Sequence, residues 1–415
     1  MKHCIIGAGP AGISAVRTIL QEKPEDSVVI VSQDEEVYSR CMLHKIISGE
    51  RDGAGINFIN DDILNRKNVQ WIKGKTVTRL DSASKTVYAG DEAVASGDTI
   101  LIATGSNSVT PPLGELKTAK NVFGLRHLGD SRNIAAKAER AKKIVIIGAG
   151  LVGLDAVYGL LEKSGAKPSI DVIEMAPVPL AVNLDAHAAE AYQKRFEAKG
   201  VRFHLACKVV NTKSDGQGNI TSIEYEDAGL SKSASCDMAI LAVGVRPAVA
   251  FLEGSGVELT ERKAVKVDDR LATNVSGLYA AGDAAGLSGI WPNAQKQGEF
   301  AGYAMTGSSR IYDDRFALKN TINFFGLLSL SLGLINPQDG DQTLIKEDRN
   351  NYRKLILRDG APVGIILQGE IGGSGFWQYL IKNKIRLDKL GKSPWKVSYA
   401  DFYGLTPNGE YTWAV

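Results

Sequence analysis

The chain has 415 residues, with 49 Lys plus Arg against 47 Asp plus Glu, a formal net charge of +2. That balance excludes a protein built around an extensive basic nucleic-acid surface, and no nucleic-acid partner is expected. The length suits two or three domains of about 150 residues, large enough to need no disulfide or metal staple. Glycine is the outlier at 44 residues without a collagen-like period, so the glycines are read as placed for backbone reasons.

In chain order, residues 3–6 form an apolar β-prone run that passes directly into Gly7-Ala8-Gly9-Pro10-Ala11-Gly12. Apolar residues at helical spacing follow over 13–20, Lys23-Pro24 stops the helix, and Ser27-Val28-Val29-Ile30-Val31 is the next strand. Because the first apolar run serves as a strand, it is not a secretory signal. The same unit recurs later: strand 143–147, turn Gly148-Ala149-Gly150-Leu151-Val152-Gly153, helix 154–161, strand 170–174. This is a duplication at domain scale, each copy a βαβ unit of about 30 residues.

Between and after the copies lie matching apolar strands over 98–105 and 237–244, the latter stopped by Arg246-Pro247. Pro111-Pro112 reads as a linker. From about residue 315 the texture changes to short strand-like runs, such as 353–357 and 363–368, with Phe324, Phe325, Phe376 and Trp377 among them. This is read as a third, α+β domain. Phe324, Phe325 and Cys4 are read as core. The most apolar late stretch, 322–335, is shorter than the roughly 20 residues a spanning helix requires and is interrupted by Asn323, Gly326, Ser329, Ser331 and Gly333. A cytoplasmic location without a membrane span is expected.

Cysteine and histidine usage narrows the chemistry. Cys4, Cys41, Cys207 and Cys236 are far apart in sequence, so no zinc or iron–sulfur ligand set and no metal site is expected. Of the five histidines, none follows His204, and His44 and His127 are assigned no role.

The two glycine turns carry the functional argument. In such a turn Gly7 allows the tight bend, Gly9 lets the backbone approach a pyrophosphate, and Gly12 lets helix and strand pack closely. The helix N-terminus adds free N–H groups and a positive dipole end. An acid about 20 positions on holds a ribose hydroxyl. In the second copy that acid is Glu174, 21 positions after Gly153, and Met175-Ala176-Pro177 supplies no cation for a 2′-phosphate, so NADH is expected over NADPH. In the first copy the strand runs into Ser32-Gln33, and Asp34 is taken as the ribose acid. Two such turns imply two dinucleotides, and a flavin dinucleotide with a nicotinamide cofactor is the natural pair because hydride passes between them.

Over about residues 2–310 the chain resembles the two-dinucleotide flavoproteins of the pyridine nucleotide–disulfide oxidoreductase superfamily. The match rests on both glycine turns, Ala103-Thr104-Gly105, and Ala242-Val243-Gly244-Val245-Arg246-Pro247. Leu278-Tyr279-Ala280-Ala281-Gly282-Asp283 and Trp291-Pro292-Asn293-Ala294-Gln295-Lys296-Gln297-Gly298 complete it. The resemblance implies that Gly7, Gly9, Pro10, Ala11, Gly12, Asp34, Ala103, Thr104, Gly105 and Gly282 hold FAD. It also implies that Asp283 bonds the ribityl chain and that the helix beginning near Asn293 and Ala294 points at the flavin. Gly148, Gly150, Leu151, Val152, Gly153, Glu174 and Gly244 would hold NAD(H). Tyr38-Ser39-Arg40-Cys41-Met42-Leu43-His44-Lys45 is similar to the family's tyrosine–arginine–proline segment followed by lysine. By that likeness Arg40 contacts flavin phosphates and Lys45 approaches flavin N5. The last domain is similar to that of NADH:rubredoxin reductase and nitrite-reductase-type flavoproteins.

The implied fold is α/β: two Rossmann-like domains of glutathione-reductase-like type plus a small α+β C-terminal domain. The expected boundaries are 1–115 with 236–314 for FAD, 116–235 for NAD, and 315–415. The departures also speak. There is no second cysteine near Cys41 and no C-terminal histidine base, which argues against a disulfide reductase, and Asp155 stands where the family has glutamate. The leading expectation is therefore an FAD-dependent NADH oxidoreductase. Hydride passes at flavin N5, and electrons go to a protein carrier: rubredoxin, ferredoxin, or an iron–sulfur subunit of a larger complex such as an aldehyde oxidoreductase. One alternative uses Cys41 as the single redox cysteine of a coenzyme A disulfide reductase or an NADH peroxidase or oxidase. Another is a flavin-bearing docking subunit with little activity alone.

Overall fold

A computed structural model describes residues 1–165, 167–314 and 319–413. The expected start of the third domain, at 315, falls outside the described residues. The helices are α1 (Pro10–Glu22), α2 (Leu43–Ser48), α3 (Leu128–Ala138), α4 (Leu151–Glu162), α5 (Ala186–Glu197), α6 (Trp291–Met305) and α7 (Ser374–Lys382). None is long and apolar enough to cross a membrane.

Two five-stranded parallel sheets form the frame. The first runs Leu278–Ala280, Thr99–Ile102, Lys2–Ile6, Ser27–Val31, Val69–Ile72. The second runs Val201–His204, Ser169–Ile173, Lys143–Ile147, Met238–Leu241, Val122–Gly124. Their strands read as nearly continuous Val/Ile/Leu because both faces are buried. The duplication reaches topology. In each copy the glycine-turn strand is followed outward by two strands, then by a three-stranded antiparallel meander (79–96 and 208–235), and the next strand returns to its other side.

Element limits shift slightly from the sequence reading. Both turn helices begin earlier than expected, at Pro10 and Leu151, directly after the middle glycine. Proline suits the first helical position because its missing N–H would be unpaired there. The strand expected over 170–174 spans Ser169–Ile173, which leaves Glu174 one residue past its end.

The third sheet is antiparallel: Lys319–Phe324, Leu327–Gly333, Ala361–Gln368, Tyr352–Arg358, Gln342–Glu347. Alternation divides its side chains between two cores. Ile365 and Leu367 face α7 with Leu330, Leu355, Phe376 and Leu380. Ile366 faces the other way with Ile322, Phe324 and Tyr352, into the core around α4 and α5. That junction is also polar. Asp185, which caps α5 by accepting from Ala188 N, takes hydrogen bonds from Tyr352 Oη at 2.7 Å and Lys354 Nζ at 2.9 Å. Tyr192 Oη reaches Leu327 O and Ser329 Oγ, both at 2.9 Å.

Candidate functional site

The glycines of both turns meet the same steric demands. In the first, a Cβ on Gly7 (φ +112°) would stand 2.3 Å from Ala103 O, and one on Gly12 2.0 Å from Gly7 O. In the second, Gly148 (φ +103°) would put a Cβ 2.5 Å from Ala242 O, and Gly153 one 2.0 Å from Gly148 O. Gly9 and Gly150 differ: a Cβ there meets nothing within 4 Å. The outer glycines are thus required by the protein's own backbone. The middle ones leave room beside the helix N-terminus, as close approach of a phosphate requires.

The first turn opens on a cavity of about 980 Å³ walled by all three sheet regions. That volume lies at the upper end of the range for ligand pockets. Gly7, Gly9, Pro10 and Ala11 line one side, and Gly12 sits behind them. Ala103, Thr104, Gly105, Gly282, Asp283 and Ala294 line it too, whereas Asn293 is buried next to Ala294 and off the wall. Thr104 Oγ1 is buried there without a hydrogen-bond partner. A buried hydroxyl left unbonded is costly, and a polar ligand in the cavity would satisfy it. The open Gly9, the unpaired Thr104 hydroxyl and the volume together fit a flavin dinucleotide.

The expected polar ligands are present and mutually engaged. Asp34 lines the cavity and accepts from Tyr38 Oη at 3.0 Å and Arg40 at 3.2 Å. Arg40 also donates to Tyr38 Oη at 2.6 Å and to Arg126 O at 3.1 Å. Gln33, beside Asp34 on the wall, is exposed. Lys45 lines the cavity with its ammonium paired to Glu50. Cys41 is an exposed wall residue whose thiol is pushed up by burial and by Asp155. A nucleophilic thiol needs the opposite shift.

Of the second group, Leu151 and Val152 reach the same cavity, while Gly148, Gly150, Gly153, Glu174 and Gly244 lie outside it along the carboxyl edge of the second sheet. Glu174 sets one carboxylate oxygen on Ala149 N at 2.6 Å and the other on Ala176 N at 2.7 Å. It therefore braces the glycine turn from the position where the sequence places a ribose acid. Around this edge Val152, Met175, Val243 and Val245 are exposed, Met175 by 75%. Large exposed apolar side chains gathered at one edge mark a surface made to be covered.

Two wall residues escaped sequence reasoning. Arg126, just before α3, donates to Asp283 at 2.6 Å and to Ser106 O at 3.0 Å, while Ser106 Oγ donates to Asp283 at 2.7 Å. The expected ribityl acid is thus held in place by a cation from the linking segment. Arg126 stands 157 positions from Asp283, and only its place before the His127–Asp130 capping box of α3 hinted at a fixed position. His44, assigned no role, is a wall residue. Its Nδ1 is buried without a hydrogen-bond partner and lies 3.7 Å from Asp155 Oδ1. Burial pushes Asp155 up to about 7, and burial together with Lys45 pushes His44 down to about 4.

Comparison with known proteins agrees with this geometry. The family described as pyridine nucleotide-disulphide oxidoreductase matches residues 1–298, and the rubredoxin NAD+ reductase C-terminal domain matches 319–385. The epsilon subunit of NADH-dependent phenylglyoxylate dehydrogenase from Aromatoleum evansii is 27% identical over 403 residues, 94% of this chain and 93% of that subunit. NADH-rubredoxin oxidoreductase from Clostridium acetobutylicum is 27% identical over 364 residues, 86% of this chain and 88% of that enzyme. Among solved structures, an NAD-dependent persulfide reductase from A. fulgidus shares the fold with a TM-score of 0.83 at 23% identity, over 94% of this chain and 78% of that one.

Proposed function

The chain belongs to the pyridine nucleotide-disulphide oxidoreductase family of FAD- and NAD(H)-using flavoproteins, and from that premise we propose that it moves electrons between NADH and a protein electron carrier. The carrier is a rubredoxin, a ferredoxin or an iron–sulfur subunit of a larger complex. The observation that carries this reading is the shared cavity, onto which the first glycine turn and the first turn of α4 both open. Two dinucleotides held by these two helix N-termini have their reactive ends in one chamber. We assign FAD to residues 1–115 and 236–314, NAD(H) to 116–235, and the carrier-facing role to 315–415.

Bound FAD supplies the chemistry of accepting a hydride as an electron pair and releasing electrons singly. The chain's own part is placement and exclusion of water. Thr104 Oγ1 and the N–H groups at the start of α1 bind, Asp283 is oriented by Arg126 and Ser106, and Arg40 fixes Asp34. Residues 321–324 and Gly326 of the third domain close the chamber. The protonated state favoured for Cys41 speaks for one-electron delivery to a partner over the alternative in which Cys41 cycles through a sulfenate or mixed disulfide.

The test is anaerobic mixing of the holoprotein with NADH and, separately, NADPH, followed by a rubredoxin or a ferredoxin. The expected result is flavin bleaching by NADH at least ten times faster than by NADPH, then recovery of colour as the iron carrier is reduced. A flavin that NADH leaves oxidised refutes the proposal. Recovery that requires Cys41 and hydrogen peroxide, with iron carriers inert, would transfer it to the cysteine alternative.

A further inference from the structure

We propose that Asp155, positioned by His44, is the proton-accepting group of the cavity and takes up the proton left over when the electron pair of NADH departs one electron at a time. The inference deepens the proposed function and rests on it. The balance leaves one proton to be carried away. NADH yields NAD+, two electrons and one proton; two one-electron acceptors take the electrons, and one proton per NADH remains in the cavity.

Geometry selects Asp155. It sits one turn into α4, just beyond Leu151 and Val152, so it enters the cavity at the meeting place of the two dinucleotide sites. The α2 helix crosses α4 there in backbone contact: a Cβ on Gly159 would stand 2.7 Å from His44 O. That crossing presents the unpaired His44 Nδ1 3.7 Å from Asp155 Oδ1, beyond hydrogen-bond length but within reach of its charge. With Asp155 raised to about 7, its carboxyl is divided between carboxylate and acid near neutral pH: the carboxylate takes up the proton, and the acid so formed faces the neutral imidazole of His44, which is lowered to about 4.

The other charged and titratable groups facing this spot are each committed elsewhere or stay protonated. On α2 and just after it, Lys45 is tied to Glu50. Before α2, Cys41 keeps its proton. Ahead of α3, Arg126 is tied to Asp283. On α4 itself, Tyr158 packs edge-on to His44, with ring centroids 6.1 Å apart.

The experiment uses the holoprotein reduced by NADH and reoxidised by ferricyanide, a one-electron acceptor. Flavin colour and a pH-indicator dye are followed in the same trace. In the native protein the proton appears in step with reoxidation, and the release rate bends near pH 7. In Asp155→Asn the proton lags the electrons at least tenfold and the bend is lost; Asp155→Glu restores both. Infrared difference titration gives an independent readout without turnover. A protonated-carboxyl band that disappears between pH 6 and 8 should be absent in Asp155→Asn and shifted in His44→Gln. In-step release and an unchanged bend in Asp155→Asn, or a carboxyl band that survives it, overturns the proposal. A native protein that NADH fails to reduce would instead sink the function proposed above, while the infrared titration would still decide for or against Asp155.

Discussion

Gly150 and Gly153 share a motif and a helix turn, yet they should fail in opposite ways when each is replaced by alanine. At Gly153 the new methyl would lie 2.0 Å from Gly148 O and 3.1 Å from Gly148 C, both backbone atoms that no side-chain rotation can move aside. Overpacking of this kind costs about 1–3 kcal/mol, and the upper half of that range applies where the obstruction is rigid. At Gly150 the backbone is extended (φ −74°, ψ −176°) and the methyl meets nothing within 4 Å. Losing a glycine's unfolded-state freedom is worth about 0.4–1 kcal/mol, while alanine caps a helix less well than glycine by a similar amount. The two effects nearly cancel. Gly153→Ala should therefore lower the melting temperature of the holoprotein by about 4–12 °C, at about 2–4 °C per kcal/mol for a domain of this size. Gly150→Ala should leave it nearly unchanged and raise the Kd for NADH at least tenfold, about 1.4 kcal/mol. Thermal melts and NADH titration of the two variants check this. Equal destabilisation of both, or native NADH affinity in Gly150→Ala, would refute the division of labour among the glycines.

Three further outcomes are expected. Phe325, in the two-residue turn between Phe324 and Leu327, has φ +51°, which costs a bulky residue about 1–2 kcal/mol; its ring packs on Tyr158 and Phe196 at centroid distances of 5.1 and 4.9 Å. Phe325→Asn relieves the strain but loses roughly 2–4 kcal/mol of ring burial and aromatic pairing, so a net loss of about 1–2 kcal/mol should appear in thermal melts, and a gain would contradict the packing account. Lys354→Met strands the buried Asp185 carboxylate, which keeps Tyr352 and Ala188 as donors; the loss should be near the low end of the usual 3–5 kcal/mol, about 3 kcal/mol, with earlier proteolysis of the third domain and partial rescue by adding Asp185→Asn. For Asp155, a folded value raised to about 7 from 3.8 means that the folded state holds a proton the unfolded state lacks, so stability is fully present below pH 4 and is lost as pH rises through 7. Because 30% of the side chain faces open space, about 4 kcal/mol is a ceiling; melts at pH 5 and pH 8 should show Asp155→Asn gaining on the native protein as pH rises, and parallel curves would rule the shift out.

What the sequence disclosed and what it concealed follow from the range of the interactions. The glycine turns were legible because their steric demands are met within a few residues and one returning strand, and the same demands recur in the second copy. The two cofactors followed from that. Arg126 was not legible, because its meaning lies in a hydrogen bond to Asp283 at the far end of the first domain's chain segment. His44 read as bland for the same reason: its surroundings are set by the packing of α4 on α2, where Gly159 meets the His44 backbone. Glu174 was legible as an acid at the end of the second copy's strand, but its grip on Ala149 N and Ala176 N was not. Phe324 is buried core as read, while Phe325 is only half-buried against it, and hydrophobicity could not tell that this core belongs to the α4–α5 side and not to their own helix α7.

The two glycine turns are alike in geometry but not in setting. Around the first turn, α6 lies against α1 in backbone contact: a Cβ on Gly298 would stand 2.0 Å from Ala11 O, and one on Gly302 3.0 Å from Ala15 O. The chamber beside it is walled by residues from all three sheet regions, and its polar groups are tied to one another from distant parts of the chain. A ligand there leaves only by disturbing these packed surfaces. Around the second turn Val152, Met175, Val243 and Val245 stand exposed, while α2 packs on α4. A ligand there covers apolar surface on arrival and uncovers it on departure, without disrupting the fold. The difference in setting comes from α6, which packs on α1 of the first copy, and from α2, which crosses α4 of the second.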